Sequence, residues 1–222
     1  MSVVTLDTSY GKIRLYDTDV WQHKWLSEAG VSMEDIYIGC VRELLAERPR
    51  GSMVDVGASF GCWSLALAGD VDRVYAIEPQ RKIFEMLAWS LRENLPGRTQ
   101  AVCCAAWDGE ASLRLDAVDY DAETNFGGVR ARPQGQGDLV RAVPLDDLVP
   151  ADECYSFIKI DVEGAERQVI NGALETIRRC RPVLFVEWDH RDTSAEGLRA
   201  QLDAESYVIE VLGPNFLCVP FA

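Results

Sequence analysis

Three groups of residues in this chain combine side-chain type and spacing in a way that could do chemistry. The first is Asp55-Val56-Gly57-Ala58-Ser59-Phe60-Gly61, an acid followed by two glycines with three residues between them. Glycine has no Cβ, so Gly57 and Gly61 let backbone approach a bound molecule and leave the N–H groups of a helix start facing it. The second is Glu78, about 20 residues beyond the turn, where the carboxylate that grips a ribose is found in nucleotide-binding α/β units. Its two acceptor oxygens suit a diol, and its charge repels a 2′-phosphate. The alternative for Glu78 is an exposed helix start, since Pro79 follows. The third group is Lys159-Ile160-Asp161-Val162-Glu163-Gly164-Ala165-Glu166, joined at the end of the next apolar run by Glu187, Asp189 and His190.

No Gly-Lys-Ser/Thr follows the turn, which excludes a Walker loop. The dinucleotide fingerprint needs G-x-G-x-x-G, one glycine more than Gly57-x-x-x-Gly61 supplies. Asp55 disfavours an anionic ligand and favours a positively charged one, such as the amino and sulfonium groups of S-adenosylmethionine. Trp107 falls at the expected rim of the same crevice, where it either stacks on an adenine or simply packs. Glu163 and Glu166 are explained as carboxylates at the positive end of a helix dipole. Asp161 is not, because it ends a strand at the carboxyl edge of the sheet, where open α/β folds bind ligands. Asp161 and Glu187 are placed to share a proton, orient a base or hold a hard cation such as Mg²⁺. Histidine titrates near neutrality, which makes His190, one of two histidines in the chain, a candidate general base or else a structural residue.

The elements that must position these groups alternate. A hairpin over 3–6 and 12–16 turns around Ser9-Tyr10-Gly11, and helices follow over 21–29 and 33–47; in the second, Ile36, Cys40, Val41, Leu44 and Leu45 recur at helical spacing. Apolar runs at 52–56, 74–77, 101–105, 157–161 and 183–186 read as buried strands. Helical patterns at 63–68, 81–94, 164–180 and about 194–203 separate them, which predicts an α/β fold with parallel pairing. Gly213-Pro214-Asn215 predicts a hairpin between strands 207–211 and 216–220, so the last strand runs antiparallel. Residues 108–141 break the rhythm, with Gly127, Gly128, Pro133, Gly135 and Gly137 near Arg130, Arg132 and Arg141. The segment reads either as a mobile surface loop or, over 116–141, as a lid or acceptor loop.

At 222 residues, one domain over 1–222 with an N-terminal extension over 1–50 is expected. The apolar share of 48% and charged share of 26% are ordinary for a soluble globular protein. No apolar run approaches the roughly 20 residues of a membrane span, and the N-terminus lacks the pattern of a secretion signal. A formal net charge of −14 repels phosphate backbones, so no nucleic-acid partner is expected. Seven cysteines without a C-x-x-C pair read as reduced thiols in a cytoplasmic protein without a zinc site. Cys103 and Cys104 lie in an apolar run, as small buried hydrophobes do.

The blocks Val54 to Gly61, Tyr75 to Pro79, Asn125 to Gly128, Leu145 to Leu148, Ile158 to Glu166 and Val186-Glu187 together resemble, in order, the FkbM-type methyltransferases. The similarity spans roughly residues 50–190, and the Lys159–Glu166 block is its most specific part. The resemblance implies a class I, Rossmann-like, doubly wound fold: a mostly parallel seven-stranded sheet with an antiparallel last strand. It implies S-adenosylmethionine as cofactor and O-methylation of a small metabolite, a sugar or glycan, or a natural product. Carried across, Asp55, Gly57, Ala58, Ser59, Phe60, Gly61, Glu78, Ala106, Trp107 and Asp161 bind the cofactor, Ser59 standing where the family often has Asn. Asn125, Phe126 and Glu163 then face the acceptor, and Asp161, Glu187 and His190 form the catalytic group, with Mg²⁺ left open. Competing readings are a nicotinamide-dependent oxidoreductase and a non-catalytic cofactor-binding or interaction protein. Trp21, Trp25 and Leu26 would suit a homodimer face or, equally, packing over the acceptor pocket.

Overall fold

The computed structural model describes residues 1–188 and 195–221. Val3–Thr8 (β1) and Gly11–Tyr16 (β2) pair as the expected antiparallel hairpin, followed by Gln22–Ala29 (α1) and Asp35–Ala46 (α2). The main α/β unit begins with Ser52–Val56 (β3), Cys62–Ala66 (α3), Val74–Ile77 (β4), Arg81–Asn94 (α4) and Thr99–Val102 (β5). Every residue of β3 and β4 is buried, as parallel strands covered on both faces require. In α4, Ile83, Met86, Leu87, Ser90 and Leu91 turn inward, the stripe that a 3.6-residue period generates.

The chain then leaves the main sheet. Ala105–Trp107 (β6), Ala111–Leu115 (β7), Ala131–Arg132 (β8) and Leu139–Pro144 (β9) form a second sheet in the order β6-β9-β7-β8. Two expectations are corrected here. The strand expected over 101–105 ends at Val102, which leaves Cys103 exposed and only Cys104 buried. The segment over 108–141 is not a bare loop, because Leu113 packs with Ala105 and Ala142 into a small core of its own.

Leu145–Leu148 (α5) leads into Tyr155–Ile160 (β10), then Glu166–Asn171 (α6), Leu174–Cys180 (α7), Val183–Glu187 (β11), Ala195–Ala204 (α8), Tyr207–Leu212 (β12) and Asn215–Pro220 (β13). The single helix expected over 164–180 is therefore two. At the break, a Cβ on Gly172 would lie 1.9 Å from the backbone oxygen of Trp107, so only glycine lets the chain press against the end of β6.

The large sheet has seven strands in the order β12-β13-β11-β10-β3-β4-β5. Pairing is parallel from β11 through β5, and β13 is antiparallel to both its neighbours. The chain moves outward from β3 in one direction and from β10 in the other. Their junction is thus a topological switch point, with a crevice above the carboxyl ends of the strands. Across the top, residues 118–126 pack Val118, Tyr120 and Phe126 onto the core that holds Ile13, Leu15 and Phe60. A backbone bridge joins Asp19 to Thr124, and Phe126 N–H donates to Asp19 Oδ2 at 3.1 Å. No helix among the described residues is long and apolar enough to cross a membrane.

Candidate active site

A cleft of about 450 Å³ opens at the switch point, lined from β3, β4, β6, β10, β11 and residues 21–37. That volume falls within the range of small-molecule sites. Its floor is set by Gly57, which has φ 78°. A Cβ there would sit 1.7 Å from the backbone oxygen of Asp161, so glycine is required where β3 passes the end of β10. The turn is anchored on both sides: Gly57 and Ala58 N–H groups donate to Ile77 O at 2.9 and 3.0 Å, and Asp161 N–H donates to Val56 O at 3.0 Å.

Ser59, at φ 48°, points its N–H at Glu78 Oε2, 3.0 Å away. Gln80 N–H donates to the other oxygen, Oε1, at 2.8 Å. Glu78 is therefore held in one orientation on the wall of the cleft. Burial pushes its carboxyl up to about 7, against the downward pull of the Gln80 and Ser59 N–H groups.

Lys159 is buried on β10, in register with Asp55 on β3. Its Nζ donates to Asp161 Oδ2 at 2.8 Å and to Gly57 O at 3.4 Å. Burial opposes the ammonium charge, but Asp161, Asp55 and Glu34 outweigh it and raise the Lys159 pKa. For Asp161, burial raises the pKa, yet the Lys159 ammonium and the hydrogen bond from Glu187 bring it below the ordinary carboxylate value. Glu187 moves the opposite way: burial, then the Asp161 charge, push it up to about 10. The pair thus titrates as a unit that shares one proton and carries one negative charge, with the proton favoured on the Glu187 side. Oxygens of Asp161, Glu163 and Glu187 converge within 4.8 Å of one another. Three oxygens at this spacing could ligate a hard cation.

Of the residues singled out in the sequence, Gly57, Ala58, Ser59, Glu78, Ala106, Trp107, Asn125, Asp161, Glu163 and Glu187 line this cleft. Asp55 does not. It is fully buried below the floor, where Oδ2 accepts from Ser64 Oγ at 2.7 Å and Oδ1 has no hydrogen-bond partner among the described residues. Gly61 is also set back, starting α3 at φ 93° against Leu87. Phe60 borders the cleft, but its ring belongs to the core with Ile83 and Leu87. Phe126 is fully buried behind the wall, its carbonyl accepting from Gln80 Nε2 at 2.8 Å. Asn125 spends its Oδ1 on Gly127 N–H at 2.9 Å. Asp189 and His190 lie outside the described residues. Trp21 turns to the cleft, Leu26 is buried, and Trp25 stays exposed.

Among the lining residues that sequence reasoning missed are Glu34, Trp63, Gln80 and Asn215. Gln80 ties Glu78, Phe126 and Tyr120 together, its Oε1 accepting from Tyr120 OH at 3.1 Å. Asn215 stands in register with Glu187. Its Oδ1 is buried with no partner among the described residues. Five carboxylates, Glu34, Glu78, Asp161, Glu163 and Glu187, thus line the cleft, with Lys159 as the one basic residue among the described lining residues.

The sequence pattern of the methyltransferase FkbM domain matches residues 55–209. The chain belongs to the FkbM methyltransferase family. The glycine turn, Glu78 and the Lys159–Glu166 block of this FkbM-family chain fall within the matched span, whereas Glu34 and the rest of the N-terminal wall precede it. Among solved structures, the fold is similar to that of a methyltransferase FkbM from Methylobacillus flagellatus KT, at 24% identity and a TM-score of 0.55. That match covers 89% of this chain and 55% of the other, so the chain spans about half the length of that protein. A magnesium protoporphyrin IX methyltransferase (ChlM) from Synechocystis PCC 6803, solved with bound SAM, matches at 12% identity and a TM-score of 0.51, covering 85% of this chain and 80% of that one. A precorrin-6y C5,15-methyltransferase from Geobacter metallireducens GS-15 matches at 15% identity and 0.50, covering 82% and 75%. At these identities the structural matches establish a shared Rossmann-like α/β fold. No curated protein matches the chain.

Proposed function

We propose that this protein transfers the methyl group of S-adenosylmethionine to a hydroxyl of a small metabolite, a sugar or glycan, or another natural product. The observation that carries this reading is the balance of charge in the cleft: Lys159 is already matched by the one charge of the Asp161–Glu187 pair, and no other Lys or Arg lines the cleft beside Glu34, Glu78 and Glu163 among the described residues. A pyrophosphate brings two negative charges and needs cationic or free N–H donors. A molecule carrying a sulfonium and an ammonium group is matched instead, which favours S-adenosylmethionine over a nicotinamide dinucleotide.

The residues present fit that donor. Glu78, pinned by Ser59 and Gln80, offers its remaining lone pairs to a ribose diol, and Ala106 and Trp107 border the adenine end. When bound, S-adenosylmethionine supplies an electrophilic methyl group whose departure leaves a neutral thioether. The protein's task is therefore mainly alignment of the acceptor oxygen. The Asp161–Glu187 pair meets that oxygen with one acceptor oxygen and one proton. As the new C–O bond forms, the attacking hydroxyl becomes oxonium-like and strongly acidic, so even the low-pKa Asp161 carboxylate is base enough to take its proton. His190, three residues beyond Glu187 in sequence, is the proposed onward acceptor.

The acidic surface argues against a nucleic-acid acceptor, and a cytoplasmic location and a homodimer through Trp25 are part of the same reading. Titration calorimetry with S-adenosylmethionine and with NAD tests the donor: the first binds and the second does not. Incubation with methyl-labelled donor and a panel of neutral alcohols, sugars and phenols tests the reaction, with a labelled methyl ether as the expected product. Binding of NAD alone, or label recovered only on nitrogen or carbon, overturns the proposal.

A further inference from the structure

We propose that Glu34 is the carboxylate that holds the ammonium group at the amino-acid end of the methyl donor. This rests on the donor assignment above, and it concerns a residue that precedes the matched span of 55–209.

Glu34 enters the cleft at the start of α2. Its position is fixed by Trp63, whose indole Nε1 donates to Glu34 Oε2 at 3.1 Å. That indole is itself immobilised, nearly wholly buried and packed on Phe157 and Phe185 with ring centroids 5.9 and 4.8 Å away. A carboxylate held this firmly is preorganised for a partner.

The other acids of the cleft are already committed. Both Glu78 oxygens are pinned by backbone N–H groups. Asp161 is ion-paired to Lys159 and hydrogen-bonded to Glu187, on whose side their shared proton is favoured. Glu163 lies against Gly128, in the loop beside Asn125. Asp55 does not reach the cleft. Glu34 has one side-chain donor, the neutral Trp63 indole, and among the described residues no Lys or Arg within ion-pair distance. Glu34 is half-buried, and a carboxylate drawn partly out of water without a cationic partner is disfavoured. Burial accordingly raises its pKa, with the Lys159 charge only partly compensating. A ligand ammonium would complete the site with a charge-assisted hydrogen bond. The electrostatic neighbours of Glu34 are Lys159, Asp161 and Asp55. They place it at the β3–β10 end of the cleft, whereas Trp107 marks the β6 end assigned to adenine.

The test compares two probes on the full chain by calorimetry: S-adenosylhomocysteine, and 5′-methylthioadenosine, which has the same adenosine and thioether but no amino-acid end. Glu34→Gln keeps an acceptor for the Trp63 indole and removes only the charge. The expected result is a loss of S-adenosylhomocysteine affinity on the order of tenfold to a hundredfold, the range for a hydrogen bond to a charged group. Methylthioadenosine affinity should stay within about twofold, and Glu34→Asp should recover part of the loss. An unchanged S-adenosylhomocysteine affinity, or equal weakening of both probes, overturns the assignment. A wild-type chain that binds neither probe overturns the donor reading and this inference with it. A wild type that binds both, with Glu34→Gln affecting neither, overturns the inference alone.

Discussion

Gly57→Ala adds one methyl group where β3 passes the end of β10, and its consequences can be worked from the geometry. The new Cβ would lie 1.7 Å from Asp161 O and 2.9 Å from its carbonyl carbon, both backbone atoms that no rotamer change can move aside. A tolerable C···O contact is about 3.3 Å, so the two strand ends must separate by roughly 1.6 Å. Alanine at φ 78° also costs about 1–2 kcal/mol in the left-handed region. The separation stretches the Asp161 N–H to Val56 O and Gly57 N–H to Ile77 O hydrogen bonds, each contributing about 1 kcal/mol. The sum is about 3–4 kcal/mol, a large share of the 5–15 kcal/mol typical of a domain. Urea unfolding followed by tryptophan fluorescence measures it, and calorimetry should show S-adenosylhomocysteine binding lost as Ser59 and Glu78 come out of register. Gly57→Ala within about 0.5 kcal/mol of wild type, a shift ordinary for a neutral surface change, with binding intact would refute the reasoning.

Gly39 provides the contrast: it lies inside α2 with nothing within 4 Å of a built Cβ. Gly39→Ala should therefore stabilise the same unfolding transition by about 0.5–1 kcal/mol. Glu78, raised from 4.5 to about 7, keeps its proton in the folded chain at pH values where the unfolded chain has lost it. Its contribution to the stability of the ligand-free protein thus declines as pH rises from 4.5 through 7, and Glu78→Gln should remove that slope in pH-dependent melting. Because the ionised carboxylate is the better acceptor for a diol, S-adenosylhomocysteine affinity should rise through the same titration in wild type and stay flat in Glu78→Gln. Glu187→Gln keeps a hydrogen-bond donor to Asp161 but no titrating proton. In methyl-transfer assays it should lower turnover on the order of a hundredfold, the lower end of general acid–base effects, with little change in donor affinity.

The parts of the fold that were legible in the sequence are those whose side chains see one environment. The apolar runs of β3, β4, β10 and β11 are buried on both faces, and Gly213-Pro214 marks the turn that sends β13 back antiparallel. Gly57 and Glu78 were legible because a close backbone approach and a strand-end acid leave fixed residue types at fixed spacing. The second sheet was not, since β6 and β8 are only three and two residues long and are interleaved with glycine and proline. The break at Gly172 depends on the carbonyl of Trp107, far away in the chain. Nothing in residue order says that Asp55 points below the floor toward Ser64, or that Phe126 turns inward while Asn125 beside it lines the cleft. Glu34 was hidden for the same reason: it reaches the site from a helix start more than twenty residues before the glycine turn, and only the tertiary contact with Trp63 brings it there.

The most direct test of the central claim is an electron-density map of the full chain with S-adenosylhomocysteine bound. The account predicts the ribose diol against the Glu78 carboxylate, the adenine beside Ala106 and Trp107, and the sulfur toward the Asp161–Glu187 pair. A cleft left empty at saturating ligand, or one that takes a dinucleotide with its phosphates over Gly57–Ser59, would contradict it.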